Sequence, residues 1–471
     1  MTFISTRGQM PARQFSEILI DGLASDGGLV VPETLPTVTA DTLEAWRPLT
    51  YPELAAEVIG LFATDLQRDL PRLTAAAYAP NVFPAPEVVP LTRLNDSLTL
   101  VGLSEGPTLA FKDLAMQFLG QAIPHVLART GRCLNILGAT SGDTGSAAEH
   151  AFRGKPGISV FMLSPQGRMS AVQRAQMYTL TDPNIHNIAI DGVFDDCQNL
   201  VKALNNDAEF KAAHDIGAVN SINFGRIAAQ TVYYFWAWLR TTDSLTPADR
   251  ADLQLSFAVP SGNFGNIYAG HQARRMGLPI HRLVLATNEN NVLDEFFRTG
   301  VYTPRSRAET LSTSSPSMDI SKASNLERFI FDLLGADEFA RRWPELEATG
   351  TLDLSDQQPR FESEFGIVSG TSTHADRLAT IRHTAEASGV IIDPHTADGV
   401  TVATRINEPG LTLVLETAKP AKFEATVVEA LGENAPELPA EVRRLLELPQ
   451  HTVDLPDDAD QLRTYIDEHT R

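Results

Sequence analysis

Cysteine is nearly absent from this chain: Cys133 and Cys197 are the only two in 471 residues. They form neither a CxxC pair nor a zinc-ligand spacing, which excludes a disulfide framework and a structural metal and points to a reducing compartment. Long apolar runs are missing too. No uninterrupted stretch of roughly eighteen apolar residues occurs, and the opening MTFISTRGQMPARQF lacks the apolar centre of a signal peptide, so neither a membrane span nor export is expected. Positive charge is scarce, with 38 Lys and Arg against 59 Asp and Glu and a formal charge of -21. That balance disfavours nucleic acid and anionic membrane as partners, and it admits an anionic small molecule only where a pocket is locally basic. The expectation is a cytoplasmic protein of ordinary globular composition, 43% hydrophobic and 21% charged, long enough for two to four domains.

What is present is a rhythm of short apolar segments alternating with helical ones. LNILGAT (134–140), ISVFML (158–163), IHNIAI (185–190), LQLSFAV (253–259), HRLVLAT (281–287) and LTLVLET (411–417) read as strands, and GVIIDP before residue 394 reads as another. SAAEHAF, AVQRAQMYTL, CQNLVKALNN and GRIAAQTVYYFWAWL read as helices, the last apolar almost all round and therefore interior. The pattern predicts an α/β fold with mostly parallel sheets covered by helices. Residues 1–85 read as a small N-terminal domain and 86–433 as the core. A helical insertion interrupts the core over about 303–380, and 434–471 form a C-terminal helical tail.

Two strands run into glycine-spaced loops that open helices, 141-SGDTGSAAEH and 261-SGNFGNIYAG. A helix N-terminus offers unpaired N–H groups and positive partial charge, and glycine lets an anion approach them closely. Neither loop is GxGxxG and no Walker pattern occurs, so dinucleotide and nucleoside-triphosphate binding lose ground. A third set of donors, Asn220, Ser221, Asn223 and Arg226, stands before and within the first turn of the apolar helix. It suits a tetrahedral oxyanion, with Arg226 able to give two parallel hydrogen bonds. Each set alone reads equally as helix capping. Lys112, between Phe111 and Asp113 in GPTLAFKDLAMQFLG, stands where a turn becomes an apolar-periodic helix. Taken alone it is a lysine whose amine reaches water.

GPTLAFKD around Lys112, TSGDTGSAA at 140–148, GRMSAVQRAQM at 167–177, NSINFGRIAAQTVYYF at 220–235, PSGNFGN at 260–266, SMDISKASNLERF at 317–329, DPHTADG at 393–399 and TAKPAKF at 417–423 together resemble the threonine synthase family in its long form. The likeness runs through nearly the whole chain in order, FISTRG and GLASDGGLVVPETLP included. It implies pyridoxal-phosphate fold type II, similar to tryptophan synthase β. It also implies a pyridoxal 5'-phosphate enzyme that turns O-phospho-L-homoserine and water into L-threonine and phosphate.

By this resemblance Lys112 would form the Schiff base, and Gly262, Asn263, Phe264, Gly265 and Asn266 would cradle the cofactor phosphate. Thr417 would face the pyridine nitrogen, where a hydroxyl can donate a hydrogen bond without demanding a protonated ring. Ser141, Gly142, Asp143 and Thr144 match the loop for the substrate carboxylate, and Asn220, Ser221 and Arg226 the substrate-phosphate site. No metal is implied, and the chain is expected to act as a monomer or homodimer. His395 reads as structural. Two departures stand out: Ser104-Glu105 replace the Phe-His of many relatives, and Lys419 replaces a histidine. A lysine must be unprotonated to condense with an aldehyde, so burial beside Phe111 should favour that role and Asp113, if close, should oppose it. A serine or threonine dehydratase would share the lysine and the loops without needing NSxNxxR; a non-catalytic phosphate-binding relative is the third alternative.

Overall fold

The computed structural model describes residues 1–167 and 169–470; Arg168 of the GRMSAVQRAQM segment therefore lies outside the described residues. Two parallel sheets organise the chain. The larger runs, edge to edge, through Ile367–Thr371, Leu283–Thr287, Leu255–Pro260, Leu411–Glu416, Leu98–Gly102 and Leu91–Arg93, with only the last strand antiparallel. The smaller runs through Val453–Pro456, Ile185–Asp191, Ile158–Pro165, Leu134–Ala139 and Ile216–Gly217, parallel throughout. Leu255–Pro260 and Leu283–Thr287 are buried at every position. Burial on both faces is what a parallel sheet covered by helices requires, and it explains why these strands read as continuous apolar runs rather than alternating ones.

The helix Phe224–Thr242 carries GRIAAQTVYYFWAWL through the interior, buried at nearly every residue. Residues 1–85 do not close a core of their own. Phe3 packs on Phe224 at 5.2 Å, Trp46 on Phe235 at 5.6 Å and Tyr51 on Trp236 at 5.4 Å, so the expected separate domain shares one hydrophobic core with the interior helix. The reason is the all-round apolar surface of that helix, which needs partners on every side.

Three expectations are corrected. The insertion is narrower and less helical than about 303–380, because Ile367–Thr371 is the outer parallel strand of the large sheet and His374–Ser388 packs beside Pro394–Ile406. GVIIDP forms no strand; Val390–Asp393 is an irregular link into Pro394–Ile406, whose N-cap is Asp393. A proline one residue beyond the cap, with fixed φ and no N–H, starts a helix readily, so the apolar residues before it serve as its packed lead-in. The tail is not only helical, since Val453–Pro456 adds the outer strand of the small sheet beside Ile185–Asp191.

Truncation of Tyr51, 1% exposed and edge-on to both Tyr78 and Trp236, tests the shared core. Tyr51→Ala should cost about 3–5 kcal/mol and lower a single calorimetric transition of the whole chain. Two independent transitions, only one of them moved, would contradict a common core.

Candidate active site

In parallel sheets the strand C-termini face one crevice, and loops leaving them line it. Three such loops leave the large sheet. One follows Leu98–Gly102 and ends in the helix Lys112–Thr130; one follows Leu255–Pro260 and becomes Gly265–Arg275; one follows Leu411–Glu416 and holds Thr417. The small sheet adds the loop after Leu134–Ala139, which becomes Asp143–Phe152. The Thr417 loop runs against the lysine loop: Phe111 N donates to Thr417 O at 2.9 Å, Lys419 N to Leu109 O at 3.1 Å, and Ala110 bridges Ala418. Backbone pairing thus sets Thr417 and Lys112 side by side.

Lys112 is 13% exposed at its side chain, and its amine lies 3.4 Å from Asp143 Oδ2 and over the Phe111 ring. Asp113 does not oppose its deprotonation from close range. The Asp113 carboxylate turns back to accept from Thr108 N at 2.8 Å and Thr108 Oγ1 at 2.7 Å, closing the turn before the helix. Burial pushes Asp113 up to about 6, against those hydrogen bonds. Burial likewise lowers the Lys112 pKa below its ordinary value; Asp143 opposes the shift, and Lys422 and Arg226 reinforce it.

Asp143 is the hub. Lys422 Nζ stands 2.7 Å from its Oδ1, Gln173 Nε2 donates to the same oxygen at 3.0 Å, and Ser317 Oγ donates to Oδ2 at 2.8 Å. Burial would raise this carboxyl, yet Lys422 and then Lys112, with the hydrogen bonds from Lys422 and Gln173, hold it well below the usual carboxylate range. Ser317 is oriented in turn by His395, whose Nε2 accepts from Ser317 N at 3.1 Å while Nδ1 donates to Asp393 Oδ1 at 2.8 Å. Gly142 has φ +135°, and a Cβ there would stand 2.4 Å from the Gln173 side chain. Glycine is therefore needed for both the turn and the approach of Gln173 to Asp143.

The residues expected to hold a phosphate fit one. Among the described residues no protein acceptor takes the main-chain N–H groups of Gly262, Asn263, Phe264, Gly265 or Asn266. Ser261 Oγ and Asn266 Nδ2 are buried without partners. Phe264 adopts φ +64°, unusual for a large side chain, at the N-cap of Gly265–Arg275. A helix N-terminus with unspent amides is an anion cradle. Asn266 is itself held by Tyr233 OH at 2.5 Å and Tyr234 OH at 3.1 Å.

Arg226 is 2% exposed, and among the described residues no carboxylate pairs with it; its Nη1 donates to Val219 O at 3.5 Å and its Nε is unpartnered. Burial lowers its pKa to about 10. Ser221 Oγ meets Ser324 Oγ at 3.0 Å, whereas Asn220 is exposed and its side chain closes a local turn on Ile222 N. Asn223 is spent as the N-cap of the interior helix. Ser141 is exposed at the crevice, and Thr144 is half-buried beside it.

Lys422, Gln173, Ser317, Asn325 and Arg328 were not singled out from the sequence. Asn325 Nδ2 donates to Asn263 O and Ser221 O, and the fully buried Arg328 donates to Val30 O and Ile222 O, so this segment ties the two candidate anion sites together. All five lie in the TAKPAKF, GRMSAVQRAQM and SMDISKASNLERF motifs, which carried the signal without a role. The departures Glu105 and Lys419 meet each other in an ion pair that also takes in Glu416.

Comparison with known proteins gives the family. The family model described as Threonine synthase N terminus matches residues 2–78, that of Pyridoxal-phosphate dependent enzyme residues 87–413, and that of Threonine synthase, C-terminal residues 396–466. The threonine synthase of Methylobacillus glycogenes is 54% identical over 100% of both chains. The chain belongs to the threonine synthase family. Its fold is that of the pyridoxal-phosphate-bound threonine synthase from Brucella melitensis, with TM-score 0.93, 40% identity and 100% of each chain covered. The yeast threonine synthase structure gives TM-score 0.92 at 36% identity, covering 99% of this chain and 98% of that one. Pyridoxal phosphate is accordingly the cofactor of this threonine synthase family member, and fold type II its architecture.

Gly142→Ala should push Gln173 off Asp143. Activity should fall by at least tenfold while circular dichroism stays native; wild-type kinetics in this variant would show that the Gln173 contact is dispensable.

Proposed function

We propose that this enzyme converts O-phospho-L-homoserine and water into L-threonine and phosphate, with Lys112 as its cofactor lysine and proton carrier. The observation that carries the reading is a pair of unspent anion sites in the crevice of one lysine: five free amides at 262–266, where Gly262 lies against Ser317, a partner of the Asp143 beside Lys112, and a buried guanidinium, Arg226, close enough to Lys112 to disfavour its charge. A buried cation without a counter-ion is costly unless an anion visits. A substrate with its own phosphate supplies that anion.

Pyridoxal phosphate, when bound, supplies the electron sink that lets protons leave substrate carbons. Gly262 to Asn266 would hold its phosphate through their amides, and Thr417 would meet its ring nitrogen. Ser141, Gly142 and Thr144 would receive the substrate carboxylate at the start of Asp143–Phe152, where the helix end favours an anion. Arg226 and Ser221 would grip the substrate phosphate. Lys112 Nζ, as a free amine, would take the proton from Cα, release it within the site, and then take one from Cβ. As the Cγ–O bond breaks and phosphate leaves, Lys112 would return a proton to Cγ; the oxygen of water would add at Cβ while its surplus proton passes to the departing phosphate, and a proton would go back to Cα. One mobile amine over one face of the substrate suffices for the transfers at carbon.

The substrate is a small molecule; we further read the enzyme as a cytoplasmic monomer or homodimer without a nucleic-acid partner. Its two free thiols and acidic excess support this.

Two variants test the assignment. Lys112→Ala should lose activity and the visible absorbance of the cofactor-loaded protein; a retained yellow colour would place the cofactor on another lysine. Arg226→Met should cut kcat/KM for O-phospho-L-homoserine by roughly 100-fold, about 3 kcal/mol, while cofactor affinity stays within a few fold. Equal loss of both would move Arg226 out of the substrate site.

A further inference from the structure

Lys422 is a second buried lysine within reach of the same carboxylate as Lys112, and the reaction above leaves it without a role. Its side chain is fully buried, its amine donates to Thr108 O at 2.8 Å, and its 2.7 Å contact with Asp143 is the shorter of the two lysine contacts by 0.7 Å. Asp143 thus holds Lys422 close at one oxygen and leaves only a 3.4 Å approach from the other to Lys112. We propose that Lys422 is a positioning residue whose fixed charge neutralises Asp143, so that Lys112 can work as an uncharged amine.

The argument is electrostatic. With Lys422 in place, Asp143 and Lys422 sum to zero, and a protonated Lys112 would be an added cation facing Arg226 in a largely buried site. Without Lys422, Asp143 and a protonated Lys112 would form a simple ion pair, which favours the ammonium form. The charged groups facing the amine are Asp143, Lys422 and Arg226. Others on the packed elements are turned elsewhere: Asp113 to Thr108, Glu149 to Asn187, His150 to Gln176 O, and Arg72 to His125 at the far end of the lysine helix. Ser317 and Gln173 contribute neutral hydrogen bonds, one to each carboxylate oxygen, that fix the orientation of Asp143 between the two amines. Lys422 also binds the carbonyl of Thr108, so one ammonium holds the turn before Lys112 and the acid beside it.

This inference rests on the assignment of Lys112 as the cofactor lysine, and the test separates the two. In the full-length cofactor-free protein, the pH midpoint of Lys112 is measured by competitive acetylation with trace acetic anhydride and peptide mass spectrometry. Lys422→Met should raise that midpoint by about one pH unit or more, a tenfold or larger loss of neutral amine at a given pH. Asp143→Asn should lower it, Lys422→Arg should leave it near wild type, and the double variant Asp143→Asn/Lys422→Met should return it towards wild type. In the holoenzyme the acidic limb of kcat/KM should move in the same directions. Should Lys422→Met fail to fold, Asp143→Asn and the charge-preserving Lys422→Arg still decide. A Lys112 midpoint unmoved by Asp143→Asn, or shifted as far by Lys422→Arg as by Lys422→Met, overturns the inference. Borohydride reduction of the holoenzyme that labels a lysine other than 112 overturns the underlying assignment with it, whereas a label on Lys112 with unmoved midpoints overturns this inference alone.

Discussion

One buried carboxylate organises this site. Asp143 draws donors from four separate parts of the chain, Lys112, Gln173, Ser317 and Lys422, into contact within 3.4 Å. A carboxylate removed from water is expensive unless every lone pair is used and opposite charge is near. The helix Asp143–Phe152 begins at this residue, so the helix dipole adds to the positive surroundings. Backbone pairing already brings the lysine loop beside the turn after Leu411–Glu416, and Asp143 ties both, with the Ser317 segment, to the small-sheet side of the crevice.

Around the hub, anion binding is left to groups that cost the fold little to hold in place. Amides at a helix start need no side-chain ordering, and the left-handed turn at Phe264 aims them outward at a price in local strain. Arg226 is the opposite kind of group, a buried charge whose penalty an anion such as the proposed substrate phosphate would offset. On the proposed assignment that contrast separates a site built from backbone from one built around a cation.

The crevice walls are joined by polar contacts rather than by packing alone. His395 holds Ser317, Asn325 holds both Asn263 and Ser221, and Lys419 links Glu105 to Glu416 between the strand that leads to Lys112 and the one that leads to Thr417. The last link is where this chain departs from many relatives. Glu105 and Lys419, residues from both departures, are partners in one ion pair, so in this chain they act together as a single cross-loop contact.

Alternation of apolar strands with helices was legible because burial on both faces of a parallel sheet leaves a continuous hydrophobic run in the chain, as in LQLSFAV and HRLVLAT. Lys112, the loops at 141–145 and 261–266, and Arg226 were legible as candidates: the loops and Arg226 because glycine and polar donors at helix starts suit anions, Lys112 only through the family resemblance. Short or irregular pieces were not: GVIIDP has the composition of a strand but lacks a sheet neighbour, and Val453–Pro456 gained one from a remote segment. The sequence by itself determined the fold class and which loops could hold phosphate, because those depend on local pattern and turn chemistry. Only the tertiary structure decided which acid faces Lys112. Asp113 is its neighbour in sequence and Asp143 its neighbour in space, and that choice, like the role of Lys422, depends on contacts between residues that lie far apart along the chain.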